Sequence, residues 1–106
     1  MTNPTFKQMR HRHTWTRFKM CDKKSEDYAS DADRLANFKR TGAALGLAPE
    51  VVLMIFATKH FDAVNAFVRG GAEDNRSEPI VGRIYDLQNY LDLLIGIIEE
   101  RGNVAK

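Results

Sequence analysis

Two short patterns place a carboxylate and a carboxamide three residues apart: Asp62-Ala-Val-Asn65 and Asp86-Leu-Gln-Asn89. On a helix this spacing puts both groups on one face. A carboxylate accepts from a sugar hydroxyl, orients a lysine or ligates a divalent cation. A carboxamide donates and accepts, which suits the edge of a planar heterocycle. On neighbouring helices the two pairs would line one polar pocket. The plainer alternative is local pairing, Asp86 with Arg83 and Asp62 with Lys59, with both asparagines in water.

Other groups offer less specific chemistry. Residues 25–33 hold Glu26, Asp27, Asp31 and Asp33 around Tyr28. Four acids near a turn can hold Mg²⁺ through oxygen ligands, but capping of the following helix is favoured. Asn37-Phe38-Lys39-Arg40 combines an amide, an aromatic ring and two cations, a set that can stack on a base and pair with phosphate. The competing reading makes Phe38 core and leaves the cations solvated. His11, His13 and His60 have no metal-ligand spacing, and His60 falls on an apolar helix face, as a packed histidine would. His11-Arg12-His13, near Trp15, can meet a phosphate or a base, although a plain surface role is favoured. The single Cys21 has no evident base and excludes an internal disulfide or a cysteine zinc site. No phosphate-binding loop, dinucleotide fingerprint or nucleophile elbow is present.

The elements that must position these groups fit one domain of 106 residues, 43% hydrophobic and 28% charged. The formal charge of +2 conceals an asymmetry. Residues 1–24 carry seven basic side chains and one acid, and residues 25–106 carry nine basic and thirteen acidic ones. This divides the chain into a basic arm, 1–24, and an acidic body, 25–106. The arm is suited to a polyanion or to ligand phosphates, or equally to ion pairing with the body of its own or a neighbouring chain. It has no apolar stretch of the signal-peptide kind, and the run Val51–Ala57 is too short to span a bilayer. Together with the lone cysteine, this predicts a cytoplasmic protein.

Strand-like alternation is absent, and four helices are expected. The first runs from about Pro4 to Ser25 with Asn3 as N-cap, followed by a turn at Glu26–Ser30. The second covers Ala32–Ala44, capped by Ser30 or Asp31, with Leu35 and Phe38 inward. The third opens at Ala48-Pro49-Glu50, where proline and an early acid suit a helix start, and stops near Arg69 at Gly70-Gly71. The fourth is capped by Ser77 and ends near Arg101-Gly102.

On helical wheels, Leu53, Met54, Ala57, Phe61, Val64 and Val68 form the expected core face of the third helix. Val51, Ile55, Thr58, Asp62, Asn65 and Arg69 lie opposite. The fourth helix has a core stripe through Ile80, Ile84, Leu87, Leu91, Leu94, Ile95 and Ile98. Its apolar arc extends through Tyr90, Leu93 and Ile97, with Arg83 and Asp86 inside the extension. Two helices apolar around so much of their girth predict a homo-oligomer, with Val51, Ile55, Leu93 and Ile97 at the interface. Arg69, or a neighbour's basic arm, would then bring charge to the pocket.

Four segments in order carry a resemblance: Lys24-Ser-Glu-Asp27-Tyr28, Leu35-Ala-Asn37-Phe38-Lys39, Lys59-His-Phe-Asp62 and Gly82-Arg-Ile-Tyr-Asp86-Leu-Gln-Asn89-Tyr90. Over about residues 20–100 the chain resembles the nucleotide-modification-associated domain family of phages and bacteria, similar in turn to the MazG-like all-α nucleotide pyrophosphohydrolases. The resemblance implies a phage-type protein, an oligomeric all-α bundle and a nucleotide pocket. Asp27, Lys59, Asp62, Asp86 and Asn89 would be its residues, supported by Tyr28 and Tyr90. MazG-like enzymes hold Mg²⁺ with paired acids on two helices. Here the corresponding places are Lys59-x-x-Asp62 and Arg83-x-x-Asp86, so a cation replaces one acid in each pair. That opposes Mg²⁺ and favours phosphate directly. The expectation is therefore a nucleotide-binding protein with no catalytic residue and no cofactor, sequestering a signalling nucleotide in an anti-defence role. The first alternative is a Mg²⁺-dependent pyrophosphohydrolase using Asp27, Asp62 and Asp86. The second is nucleic-acid or protein binding by the basic arm.

Overall fold

The computed structural model describes residues 1–28, 33–70 and 79–102, the side chains of 25–28 excepted. It is all-helical over the described residues: α1 Asn3–Tyr28, α2 Ala36–Leu45, α3 Pro49–Val68 and α4 Ile80–Glu100. The expected fold class is met at this level.

The helix ends differ from expectation for local reasons. Thr2, rather than Asn3, caps α1: its Oγ1 accepts from the Thr5 N–H at 3.3 Å. With no glycine or proline between Pro4 and Gly42, α1 continues to Tyr28, through part of the expected turn. Helix α2 starts at Ala36 instead of Ala32. The Asp33 carboxylate takes the Leu35 N–H at 2.9 Å and the Asp33 carbonyl takes the Ala36 N–H at 3.1 Å. This local turn competes with an earlier helical start. The expected caps Ser30, Asp31 and Ser77 lie outside the described residues. Helix α4 begins after Pro79, whose carbonyl receives the first helical bonds, from Gly82 and Arg83.

The core is built by three helices: Leu35 and Phe38 beside and on α2, Val52 and Leu53 of α3, and Ile97 of α4, with Tyr90, Leu93 and Leu94 packed against them. Helices α3 and α4 run antiparallel, and an ion pair between Glu50 and Arg101 joins the start of one to the end of the other. Helix α1 lies against α4. A hydrogen bond joins His13 to Tyr85, an ion pair of 2.6 Å joins Arg17 to Asp92, and Cys21 is buried.

Two expectations about faces are corrected. On α3 the buried residues are Val52, Leu53 and Ala57, whereas Met54, Phe61 and Val68 are exposed. On α4 the buried side is the one containing Tyr85, Asp86, Tyr90, Leu93 and Ile97, while Ile84, Leu91 and Ile95 of the expected core stripe are exposed. A wheel identifies two apolar arcs on α4 but not which arc meets a partner. Since Val52 and Leu53 of α3 pack on the Tyr90–Ile97 side together with Leu35 and Phe38, that side becomes core. Ile97 is only 5% exposed, so it is a core residue of the single chain and not an interface residue. Helix α3 is, by length and composition, long and apolar enough to cross a bilayer, unlike the shorter run Val51–Ala57 taken alone. Here its Val52–Leu53–Ala57 side supports the helical core.

Candidate functional site

The inner side of α1 repeats at His13, Arg17, Cys21 and Lys24, the helical spacing of one face. Its last member reaches Asp86 of α4, with Lys24 Nζ donating to Oδ1 at 3.0 Å. The other carboxylate oxygen of Asp86 lies 3.7 Å from His60 Nδ1 of α3. The Asp86 side chain is 12% exposed, so the lysine holds a charge that would otherwise be costly to bury. The local Asp86–Arg83 pair weighed from the sequence is replaced by one that spans two helices 62 residues apart.

Around this pair the rings assemble. His60 stacks obliquely on Tyr90, with centroids 5.4 Å apart, and Phe38 meets Tyr90 edge-on at 6.2 Å. A cavity of about 300 Å³ opens beside them. Cys21 and Lys24 of α1, Asn37 and Phe38 of α2, His60 of α3, and Asp86, Asn89, Tyr90 and Leu93 of α4 line it, with Arg34 before α2. Arg34 also donates to Asp22 at 2.6 Å, which ties the α1 end to the cavity rim. Burial pushes the Tyr90 phenol above its ordinary range, and the Asp86 charge adds to the effect. Burial and then Asp86 likewise raise the Cys21 thiol. Both are therefore neutral near pH 7, and Cys21 is not an activated nucleophile.

Five sequence-expected residues meet at this cavity: Asn37, Phe38, Asp86, Asn89 and Tyr90. Others go elsewhere. Lys39 bridges Asp33 at 2.7 Å and Glu100 at 2.9 Å. These contacts lower the Asp33 carboxyl and raise the Lys39 ammonium, through the Lys39–Asp33 hydrogen bond above all. Lys59 and Asp62 are exposed on α3 and Arg69 just past its end, and Asn65 and Arg83 are half-buried; none of these five lines the cavity. The two carboxylate–carboxamide pairs thus do not share a pocket: only the α4 pair faces it. Asp27 and Tyr28 end α1, and their side chains lie outside the described residues.

Cys21, Lys24, Arg34, His60 and Leu93 are cavity residues that motif reasoning did not assign to a site. Lys24 and Cys21 were legible only as members of the 13/17/21/24 row of α1. His60, expected as a packed histidine, packs on the Tyr90 ring and in doing so also lines the cavity.

Chemically the cavity offers flat apolar walls, two carboxamides, two cations and one carboxylate. These are recognition groups for a planar, polar-edged, anionic ligand. Among the described residues no group of three or more His, Cys, Asp or Glu side chains is placed to hold a metal ion. No protein-family model, curated protein or solved structure matches this chain.

Proposed function

We propose that this chain is a small, phage-type nucleotide-binding protein that holds its ligand without turning it over, in the cytoplasm of the host cell, and so sequesters a signalling nucleotide. One observation carries the reading. Groups from all four helices and the α2 approach, suited to a base, a sugar and a phosphate, converge on one cavity. Phe38 and Tyr90 wall the base, and Asn37 and Asn89 address its edges. Lys24 and Arg34 meet the phosphate, and Asp86 sets Lys24 while accepting from a ribose hydroxyl. A volume of about 300 Å³ is at the small end for ligand sites, which suits one nucleotide unit per cavity.

The pyrophosphohydrolase alternative requires Asp27, Asp62 and Asp86 to share Mg²⁺. Asp62 does not line the cavity and Asp86 is occupied by a lysine, which favours binding over turnover. Isothermal calorimetry against mononucleotides and cyclic oligonucleotides tests the proposal. A micromolar ligand is expected, weakened at least about tenfold by Lys24→Gln, as loss of one charge-assisted bond implies. Absence of heat with every member at high micromolar concentration overturns it. Pyrophosphate release with Mg²⁺ or Mn²⁺ that is lost in Asp86→Asn would establish the enzyme instead.

We further propose a homo-oligomer. The outer side of the α3–α4 pair exposes Val51, Met54, Ile55 and Phe61 together with Ile84, Leu91 and Ile95. A patch of this size in water favours a matching surface.

A further inference from the structure

The inner side of α1 is used up by His13, Arg17, Cys21 and Lys24. Its opposite side has a composition of its own. Lys7, Arg12, Trp15, Phe18, Lys19 and Lys23 fall within one outward arc of the helix and are all exposed, Trp15 to 61%. None of the four cations forms an ion pair with a described carboxylate. The rings are already dressed with charge: Lys19 Nζ sits 5.4 Å from the Trp15 ring centroid, and Arg17 Cζ sits 4.9 Å from that of Phe18.

We propose that this outward side of α1 binds single-stranded nucleic acid. The physical basis is two large exposed rings set side by side and flanked by cations. Unpaired bases stack on such rings whatever their identity, while the cations track the phosphates. From Lys7 to Lys23 the row is about 24 Å long at the rise of an α-helix, room for a few nucleotides. A duplex, whose bases are stacked internally, has no use for Trp15 and Phe18. An anionic membrane surface would select a long apolar stripe flanked by cations. On α1 the outward arc sets Phe18 and Trp15 side by side, with Lys7 on one flank and Lys19, Arg12 and Lys23 on the other, and holds no Leu, Ile, Val or Met to extend the two rings into such a stripe. Among the described side chains, Asp22 falls within the same outward arc and is neutralised by Arg34 at 2.6 Å, and Asp86 and Asp92 of α4 pair with the inner side of α1, so Lys7, Arg12, Lys19 and Lys23 leave the arc net positive.

Trp15 is the chain's one tryptophan, so its fluorescence reads the contact directly. The full-length protein is titrated at 20 mM salt with oligo(dT) and oligo(U) of twenty nucleotides, a duplex of equal length, and vesicles of phosphatidylserine. Both single strands are expected to quench Trp15, with a preference for one distinguishing DNA from RNA. Affinity should fall with salt along a log–log slope of about −3, for four neutralised phosphates. By anisotropy of a labelled strand, Trp15→Ala should weaken binding at least about tenfold. Lys19→Gln should reduce the salt slope by about 0.7. Arg69→Gln, exposed just past the end of α3, should change neither. These positions are exposed, and circular dichroism confirms the helical content of each variant. No quenching at low salt, duplex or vesicle affinity equal to that for single strands, or unchanged affinity in folded Trp15→Ala each overturns the proposal.

Discussion

Asp86 is the residue on which the cavity turns. It accepts from Lys24, faces His60 and raises the neighbouring Tyr90 phenol. Burial is the larger cause of that rise and the Asp86 charge the second. Asp86→Asn is therefore expected to lower the Tyr90 midpoint without returning it to the ordinary value. Alkaline absorbance titration, with Tyr90→Phe subtracted to isolate one of three tyrosines, measures this. The sign for stability follows from linkage. A folded-state value above the unfolded one near 10 leaves stability intact below pH 10 and removes it as pH climbs toward the folded value. In Asp86→Asn this alkaline loss should begin at the same pH, near 10, but end at a lower pH than in the wild type and be smaller. An unchanged Tyr90 midpoint would remove Asp86 from the cavity's electrostatics.

The connection from α2 to α3 sets how the cavity's α2 wall meets the core. Leu47 donates its N–H to the Gly42 carbonyl at 2.9 Å, and Gly46 closes α2 at φ +70°. A Cβ on Gly42 would come within 2.4 Å of the Leu47 carbonyl oxygen, a backbone atom that cannot move aside alone. Gly42→Ala is expected to cost about 1–3 kcal/mol despite the better helix propensity of alanine. Gly96, inside α4, gives the contrast. Its added Cβ would meet only Leu35 Cδ1, at 3.9 Å, so Gly96→Ala should stabilise by up to about 1 kcal/mol. Urea unfolding of the two variants measures both, and equal signs would disprove the account of the turn. The helices themselves were readable from the sequence. Pro49, Glu50 and Gly70 mark α3 within a residue or so. The start of α2 was not, because Asp33 diverts the chain into a turn through a side-chain bond that competes with helix.

At the scale of the molecule the two apolar sides of α3 and α4 have different fates. One makes the core of the single chain. The other leaves Ile55 and Ile95 more than half exposed, at 55% and 53%. Apolar area is worth about 25 cal/mol per Å² when buried, and a standard interface covers about 800 Å² per partner. The proposed homo-oligomer would cover these two outer faces. Sedimentation at micromolar concentration should give a mass above the 12.1 kDa of one chain. Ile55→Glu or Ile95→Glu should shift it toward that value with the fold intact. Ile97→Glu tests something else. It puts a charge among Leu35, Phe38, Val52 and Leu53 and should destabilise the chain itself by about 4 kcal/mol. A wild-type monomer at all concentrations would leave the outer face without its proposed partner.

Helix type, the approximate span of α3 and α4, and the charge contrast between arm and body were determined by the sequence alone. Each depends on residues near one another in the chain: periodic apolar spacing, prolines and glycines at ends, runs of like charge. Tertiary structure decided the rest. It chose which of two apolar arcs on α4 became core, because that choice depends on where α3, Leu35 and Phe38 lie. It separated Asp62 and Asn65 from Asp86 and Asn89, although the two pairs are written alike. It also turned Lys24 of the basic arm inward onto Asp86, 62 residues away, so that a largely enclosed carboxylate takes its cation from another helix rather than from Arg83 three residues along its own.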